Sequence, residues 1–180
     1  MYRFQRCAAA WLVVWLVVSA RGDDQVRFRP VPDFPQLPES IQLGPCSAVS
    51  VDSRGRVYLF HRGPHPVICL GADGRYLRSC GDGEVVKSHG LRIDHDDHVW
   101  VTDMGGHRVL KFDAQGELLL ALGTGKAGDA LDQFNRPTDI AFDRTGACYV
   151  SDGYGNHRVL KFSPSGALVT QWGRRGTEPG

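Results

Sequence analysis

His107-Arg108-Val109-Leu110-Lys111-Phe112 recurs, residue for residue, as His157-Arg158-Val159-Leu160-Lys161-Phe162. An unchanged hexapeptide is the mark of an internal duplication, and the sequence on both sides of it repeats in step. Placing Asp52, Asp94 and Asp143 on top of one another aligns three units. Each opens with a short apolar run, residues 48–51, 90–93 and 139–142, and then turns through Asp52-Ser53-Arg54-Gly55, Asp94-His95-Asp96-Asp97 or Asp143-Arg144-Thr145-Gly146. Second strands follow at Val57-Tyr58-Leu59-Phe60, Val99-Trp100-Val101-Thr102 and Cys148-Tyr149-Val150-Ser151, rich in the β-branched and aromatic residues that suit a pleated surface. The duplicated hexapeptide is the third strand, with Pro66-Val67-Ile68-Cys69-Leu70 its weaker copy. Gly74, Gly116 and Gly166 mark the next turn, and a fourth strand ends at Gly81, Gly123 and Gly173.

Four short strands with tight turns, repeated three times, predict an all-β protein of β-propeller blades, each too small to bury its own faces alone. A sandwich has no reason to repeat its turn chemistry. The blades are expected at about 44–82, 87–124 and 134–175. Three blades cannot close a ring, and closure is what removes exposed sheet edges. The chain is therefore expected to be part of a larger propeller; the alternative is a half-propeller that pairs with another copy.

Composition fits a globular protein: 42% of residues are hydrophobic and 23% charged, with no bias toward disorder. A formal charge of +1 without a block of Lys or Arg argues against a nucleic-acid footprint. Arg3 and Arg6 precede an apolar run over 8–18, which ends in Val18-Ser19-Ala20. That order reads as an export signal over 1–22, and the run is shorter than the ~20 residues a spanning helix needs. The expected location is secreted, extracellular or periplasmic, with no stable membrane span after signal removal. Export permits disulfides, and Cys69 and Cys80 flank one predicted turn; the bland reading is small buried hydrophobes. Residues 23–43 are rich in Pro and read as an extended lead-in.

If strand one runs along the central channel and strand two returns, the start of one and the end of the other share a rim. Five residues before each aligned Asp stand Ser47, His89 and Thr138, so only the middle blade offers an imidazole there. The loops after strand two read His61-Arg62-Gly63-Pro64-His65, Met104-Gly105-Gly106-His107 and Asp152-Gly153-Tyr154-Gly155-Asn156-His157. One rim thus collects Arg62, His89 and Tyr154 from successive blades. The other histidines sit in turns or flank strands, where solvated or packing roles are the rule.

Several stretches carry a resemblance to a known family. They are Phe60-His61-Arg62-Gly63, Ser88-His89-Gly90-Leu91, Val99-Trp100-Val101-Thr102-Asp103, Gln133-Phe134-Asn135-Arg136-Pro137-Thr138-Asp139, Val150-Ser151-Asp152-Gly153-Tyr154-Gly155-Asn156-His157-Arg158, Phe162-Ser163-Pro164-Ser165-Gly166 and Thr170-Gln171-Trp172-Gly173. In this order, from about residue 49 to 173, the chain resembles the NHL-repeat propeller of the peptidyl-α-hydroxyglycine α-amidating lyases. The resemblance implies a six-bladed ring in which channel histidines hold zinc and a peptidyl-α-hydroxyglycine is cleaved to peptide amide and glyoxylate. It implies His89 as the first zinc ligand, Tyr154 as the group taking the hydroxyl proton, and Arg62 as a cation steadying the tyrosinate or the substrate carboxylate. It further implies a structural calcium site using the backbone carbonyls of Val49 and Leu91.

A phenol, ionising near pH 10, is a poor base unless positive charge stands beside it, and zinc with an arginine would supply such charge. Gly155 departs from the family, standing where animal members carry a disulfide cysteine. The remaining zinc histidines would lie outside this chain. The competing expectation is a non-catalytic NHL propeller that binds a protein, peptide or glycan on the same rim, since fold alone does not choose.

Overall fold

Alternation along each strand decides which neighbour it packs against, and the three units alternate alike. In the computed structural model, which describes residues 28–177, they form three four-stranded antiparallel sheets. The first blade is β1 (Cys46–Val51), β2 (Val57–His61), β3 (Val67–Leu70) and β4 (Tyr76–Cys80). The second is β5 (Ser88–Ile93), β6 (Val99–Asp103), β7 (Arg108–Phe112) and β8 (Leu118–Leu122). The third is β9 (Asp139–Phe142), β10 (Cys148–Asp152), β11 (Arg158–Phe162) and β12 (Leu168–Trp172). Strand order within each blade follows the chain, and β1, β5 and β9 lie side by side at the inner edge. The fold is therefore all-β, built of propeller blades. The second strands run one residue past the sequence expectation, to His61, Asp103 and Asp152, and those three extra residues prove to matter most. The export signal expected over 1–22 lies outside the described residues.

The aligned aspartates explain why the turns repeat. Each caps its own turn by accepting amides two and four residues on: Arg54 and Arg56 on Asp52, Asp96 and His98 on Asp94, Thr145 and Ala147 on Asp143. Each also receives the aromatic residue of strand two: Tyr58 Oη at 3.2 Å, Trp100 Nε1 at 2.8 Å and Tyr149 Oη at 2.9 Å. Lys111 and Lys161, from the duplicated hexapeptide, complete the turn by reaching Asp94 and Asp143 at 3.3 and 3.4 Å while lying 5.0 Å from the ring centroids of Trp100 and Tyr149. In blade 1 Cys69 stands where the Lys would be, and Arg56 takes over the ion pair with Asp52 at 2.5 Å.

Two apolar cores lie between blades. Tyr58, Phe60, Val67 and Cys69 of blade 1 meet Leu91, Val99, Val101, Leu110 and Phe112 of blade 2. Trp100, Val109 and Leu122 of blade 2 meet Phe134, Ile140, Cys148, Val150, Leu160 and Phe162 of blade 3. Burial pushes the Cys148 thiol up to about 11 and the Cys80 thiol up to about 12. Cys69 and Cys80 are free thiols; Cys69 faces Arg78 across β3 and β4, and Cys80 faces Val67.

The Pro-rich lead-in does more than connect. Ile41 buries itself on Ile68 and Leu70, with Leu37, Leu43, Val57, Leu59 and Tyr76 around them, and Gln36 forms a parallel bridge to Arg75. Residues 34–43 thus cover the face of blade 1 that points away from blade 2.

Candidate functional site

His89 enters β5 at an irregularity in the β5–β6 pairing between Ser88 and Leu91, the kind of bulge that re-aims a side chain. Its Nδ1 lies 2.8 Å from the carbonyl oxygen of Thr138, at the approach to β9. A carbonyl only accepts, so Nδ1 carries the hydrogen, and in the neutral ring Nε2 keeps its lone pair. That lone pair faces the hydroxyl of Tyr154 at 3.3 Å, and the two rings meet edge to face with centroids 5.5 Å apart. Tyr154 comes from the loop between β10 and β11 and is 55% exposed, so its hydroxyl is open to a ligand.

The Thr138 carbonyl is itself held in place. Thr102 Oγ1 donates to it at 2.9 Å and accepts the amide of Gly90 at 2.7 Å. Ser151 does the equivalent in blade 3, accepting the amide of Asp139 at 3.0 Å. Arg62 reaches in from blade 1, its Nε 3.5 Å from the carbonyl of Ser88, the residue before His89. The structure thus brings His89 and Tyr154 into contact and sets Arg62 beside the start of β5. Among the described residues Arg62 makes no hydrogen bond to Tyr154. A cleft of about 220 Å³ opens below, lined by Ser47, Val49, His89, Arg92, Thr138 and Asp139 among others.

The metals implied by the resemblance fit unequally. A zinc-ligating histidine ordinarily donates its second N–H to a carbonyl or carboxylate, and His89 does so. Its Nε2 therefore fits one position of a zinc site. Calcium fits less well: the Leu91 carbonyl already accepts Arg92 Nη1 at 3.0 Å, and Arg92 Nη2 pairs with Asp139 at 2.5 Å. An ion at that oxygen has to displace a guanidinium. Asp94, Asp96 and His98 also come within metal-binding reach of one another, but Asp94 is occupied as the cap of its turn.

Sequence reasoning named Thr138 only as the blade 3 counterpart of His89 and gave no role to Thr102, Arg92, Asp103 or Asp152. A usable signal was present: hydroxyl then Asp closes strand two in blades 2 and 3, as Thr102-Asp103 and Ser151-Asp152. In blade 1 the corresponding pair is Phe60-His61, and His61 is a fully buried histidine with both ring nitrogens bonded.

Residues 134–162 match the NHL repeat family model. The chain is 36% identical over 159 residues to the peptidylglycine alpha-amidating monooxygenase of Rattus norvegicus, covering 72% of this chain and 16% of that protein. It is 32% identical over 163 residues to the peptidyl-alpha-hydroxyglycine alpha-amidating lyase 1 of Drosophila melanogaster, covering 75% of this chain and 30% of the relative. The chain therefore spans less than a third of either relative's length. Among solved structures a streptogramin B lyase superposes with a TM-score of 0.57 at 16% identity, covering 71% of this chain and 40% of that one, a likeness of fold. The chain is thus built of NHL-type β-propeller blades and, over most of its length, resembles the peptidyl-α-hydroxyglycine α-amidating lyases.

Proposed function

We propose that these blades belong to a secreted, zinc-dependent lyase that cleaves a peptidyl-α-hydroxyglycine to the peptide amide and glyoxylate. The observation that carries this reading is the His89–Tyr154 pair: an imidazole fixed through Nδ1 to a backbone carbonyl, its free Nε2 3.3 Å from a phenol. Similarity to the amidating lyases points the same way.

The chemistry needs one proton removed and one returned. The substrate hydroxyl gives its proton to Tyr154, the carbonyl of glyoxylate forms as the C–N bond breaks, and the departing amide nitrogen takes a proton. Zinc held through His89 Nε2 would polarise the substrate oxygen. Arg62, beside the same rim, steadies the tyrosinate or pairs with the substrate carboxylate. A catalytic zinc ordinarily takes three protein ligands, so the others come from further blades, in the same protein or in a second copy. A calcium ion on Val49 and Leu91 requires Arg92 to leave the Leu91 carbonyl. The peptide occupies the rim, and export follows from residues 1–22.

The test is release of glyoxylate from a peptidyl-α-hydroxyglycine by the full-length protein, stripped of metal and then resupplied with zinc. Zinc-dependent release is expected. A folded, zinc-loaded protein that releases none overturns the lyase reading and leaves a rim that binds peptide, protein or glycan.

A further inference from the structure

The last residue of strand two does the same job in all three blades. Buried Asp103 accepts the amides of Val86 and Lys87, ahead of β5, and of Gly106, in the loop after β6, at 2.9–3.1 Å. Buried Asp152 accepts the amide of Asn135, ahead of β9, at 2.8 Å, and Asn156 Nδ2, after β10, at 2.6 Å. Each carboxylate latches the approach of strand one to the rim loop after strand two. In blade 1 the latch is His61, fully buried. Its Nδ1 accepts the amide of Gly44 at 3.0 Å, and its Nε2 lies 2.9 Å from the carbonyl of His65. Accepting from an amide needs a lone pair and bonding a carbonyl needs a hydrogen, so the ring is the neutral Nε2–H tautomer.

Arg62 is caught inside this latch. Its amide donates to Pro45 at 3.0 Å, and the His61 amide closes the loop on Pro66 at 2.9 Å. Gly63 lies so close to the ring that a Cβ there would stand 2.9 Å from Cε1.

We propose that His61 is a positioning residue for Arg62 whose hold is released by protonation, which makes the Arg62 loop sensitive to mild acid. The functional meaning rests on the reading of Arg62 as the cation of the lyase site. A histidine is the side chain whose ordinary titration falls between pH 5 and 8, whereas the other two latches are carboxylates. Once Nδ1 is protonated it is a donor facing the Gly44 N–H, and two donors cannot bond. Burial pushes the His61 pKa down, outweighing the His65 carbonyl that favours the charged ring, and a charged His65 side chain pushes the same way as burial. His65, its partner Asp82 at 2.9 Å from His65 Nδ1, Arg62 next in the chain, and Cys46, which pairs with His61 across β1 and β2 and donates its thiol to the Gly44 carbonyl, are the titratable or charged groups at the latch; Gly44 and Pro45 themselves bring none. With the folded pKa below the unfolded value of about 6.5, the hold is complete above that pH and is lost as pH falls toward the folded pKa.

The experiment follows the backbone amides of Gly44 and Arg62 and the ring nitrogens of His61 by ¹⁵N NMR on the chain from pH 8 to 4.5. Expected are an unprotonated Nδ1 at neutral pH and both amides moving with His61 at one midpoint below 6.5. The amides of Val86, Lys87 and Asn135 should ignore that midpoint. In His61→Asn, whose side-chain oxygen can still accept from Gly44, the Arg62 amide should lose this step while keeping its neutral-pH position. An Arg62 amide that stays still while His61 titrates, or a His61 midpoint at or above 6.5, overturns the proposal. The wild-type titration needs no activity, so its failure leaves the lyase reading untouched. If glyoxylate release is observed, the acid limb of kcat/KM should share the wild-type midpoint and be absent from His61→Asn; an unaltered limb removes the link to Arg62. Absent release, coupled amides still uphold the latch.

Discussion

Thr138 touches no reacting atom in the proposed chemistry, yet its carbonyl decides which nitrogen of His89 is free. That dependence was invisible in the sequence, because a backbone oxygen has no residue type; His89 and Tyr154 could be placed on one rim from spacing, but the tautomer could not. Thr102 is the legible part of the support. Thr102→Val removes the acceptor for the buried Gly90 amide and a donor to Thr138, so a loss of about 1–3 kcal/mol is expected in urea denaturation. A value near zero would show that the Gly90 amide finds another partner. Beside Tyr154, Asn135 fills the space around Gly155, so a Cβ on Gly155 would stand 2.2 Å from Asn135 Cγ. Gly155→Ala is expected to cost about 1–3 kcal/mol, and adding Asn135→Ala to recover a measurable part of it; no recovery would place the strain elsewhere.

Hairpins built on a turn aspartate were readable because the turn chemistry is local: two amides, one aromatic and one cation converge on Asp94 and again on Asp143. The lead-in was not readable. Leu37, Ile41 and Leu43 follow no period, and their partner is a sheet face defined only after β2 and β3 have paired. Ile41→Ala should cost roughly 2 kcal/mol by denaturant unfolding, with unchanged far-UV spectra. A cost within a few tenths would mean that residues 34–43 rest on blade 1 without stabilising it. The same limit applied to His61: its sequence neighbourhood left a solvated and a packing role equally open, and only the one-residue extension of β2 carries it into the interior.

Across the molecule the two terminal faces differ. Blade 1 is capped, while blade 3 presents Tyr149, Val159 and Trp172 outward, with Trp172 49% exposed. Their equivalents in blade 2, Trp100, Val109 and Leu122, are buried against the next blade. Stability toward acid is also a property of the whole array. Burial alone would raise Asp52 and Asp94, but hydrogen bonds from Arg56, Arg54, Trp100, His98 and Asp96 pull both carboxyls below the usual range; Asp143 is lowered chiefly by the Thr145 hydroxyl. Unfolded carboxyls take up protons near pH 4 and these folded ones only lower, so melting temperature should drop steeply below about pH 4, after a shallower loss from His61 below about 6.5. A melting temperature that rises on acidification would contradict these shifts. The number of blades and their common turn were legible from the repeat; which face is covered was not, since it depends on contacts far apart in the chain.

On the proposed reading, His89 and Tyr154 form one site in which the phenol, beside an imidazole that would hold zinc, takes the substrate proton. Turnover of the full-length, zinc-loaded protein and of Tyr154→Phe, measured as glyoxylate release at matched folded fraction, addresses it most directly. A fall in kcat of about 10²-fold or more, with zinc content unchanged, is the result predicted. Equal kcat in the two proteins would contradict the role of Tyr154 and the account of the site with it.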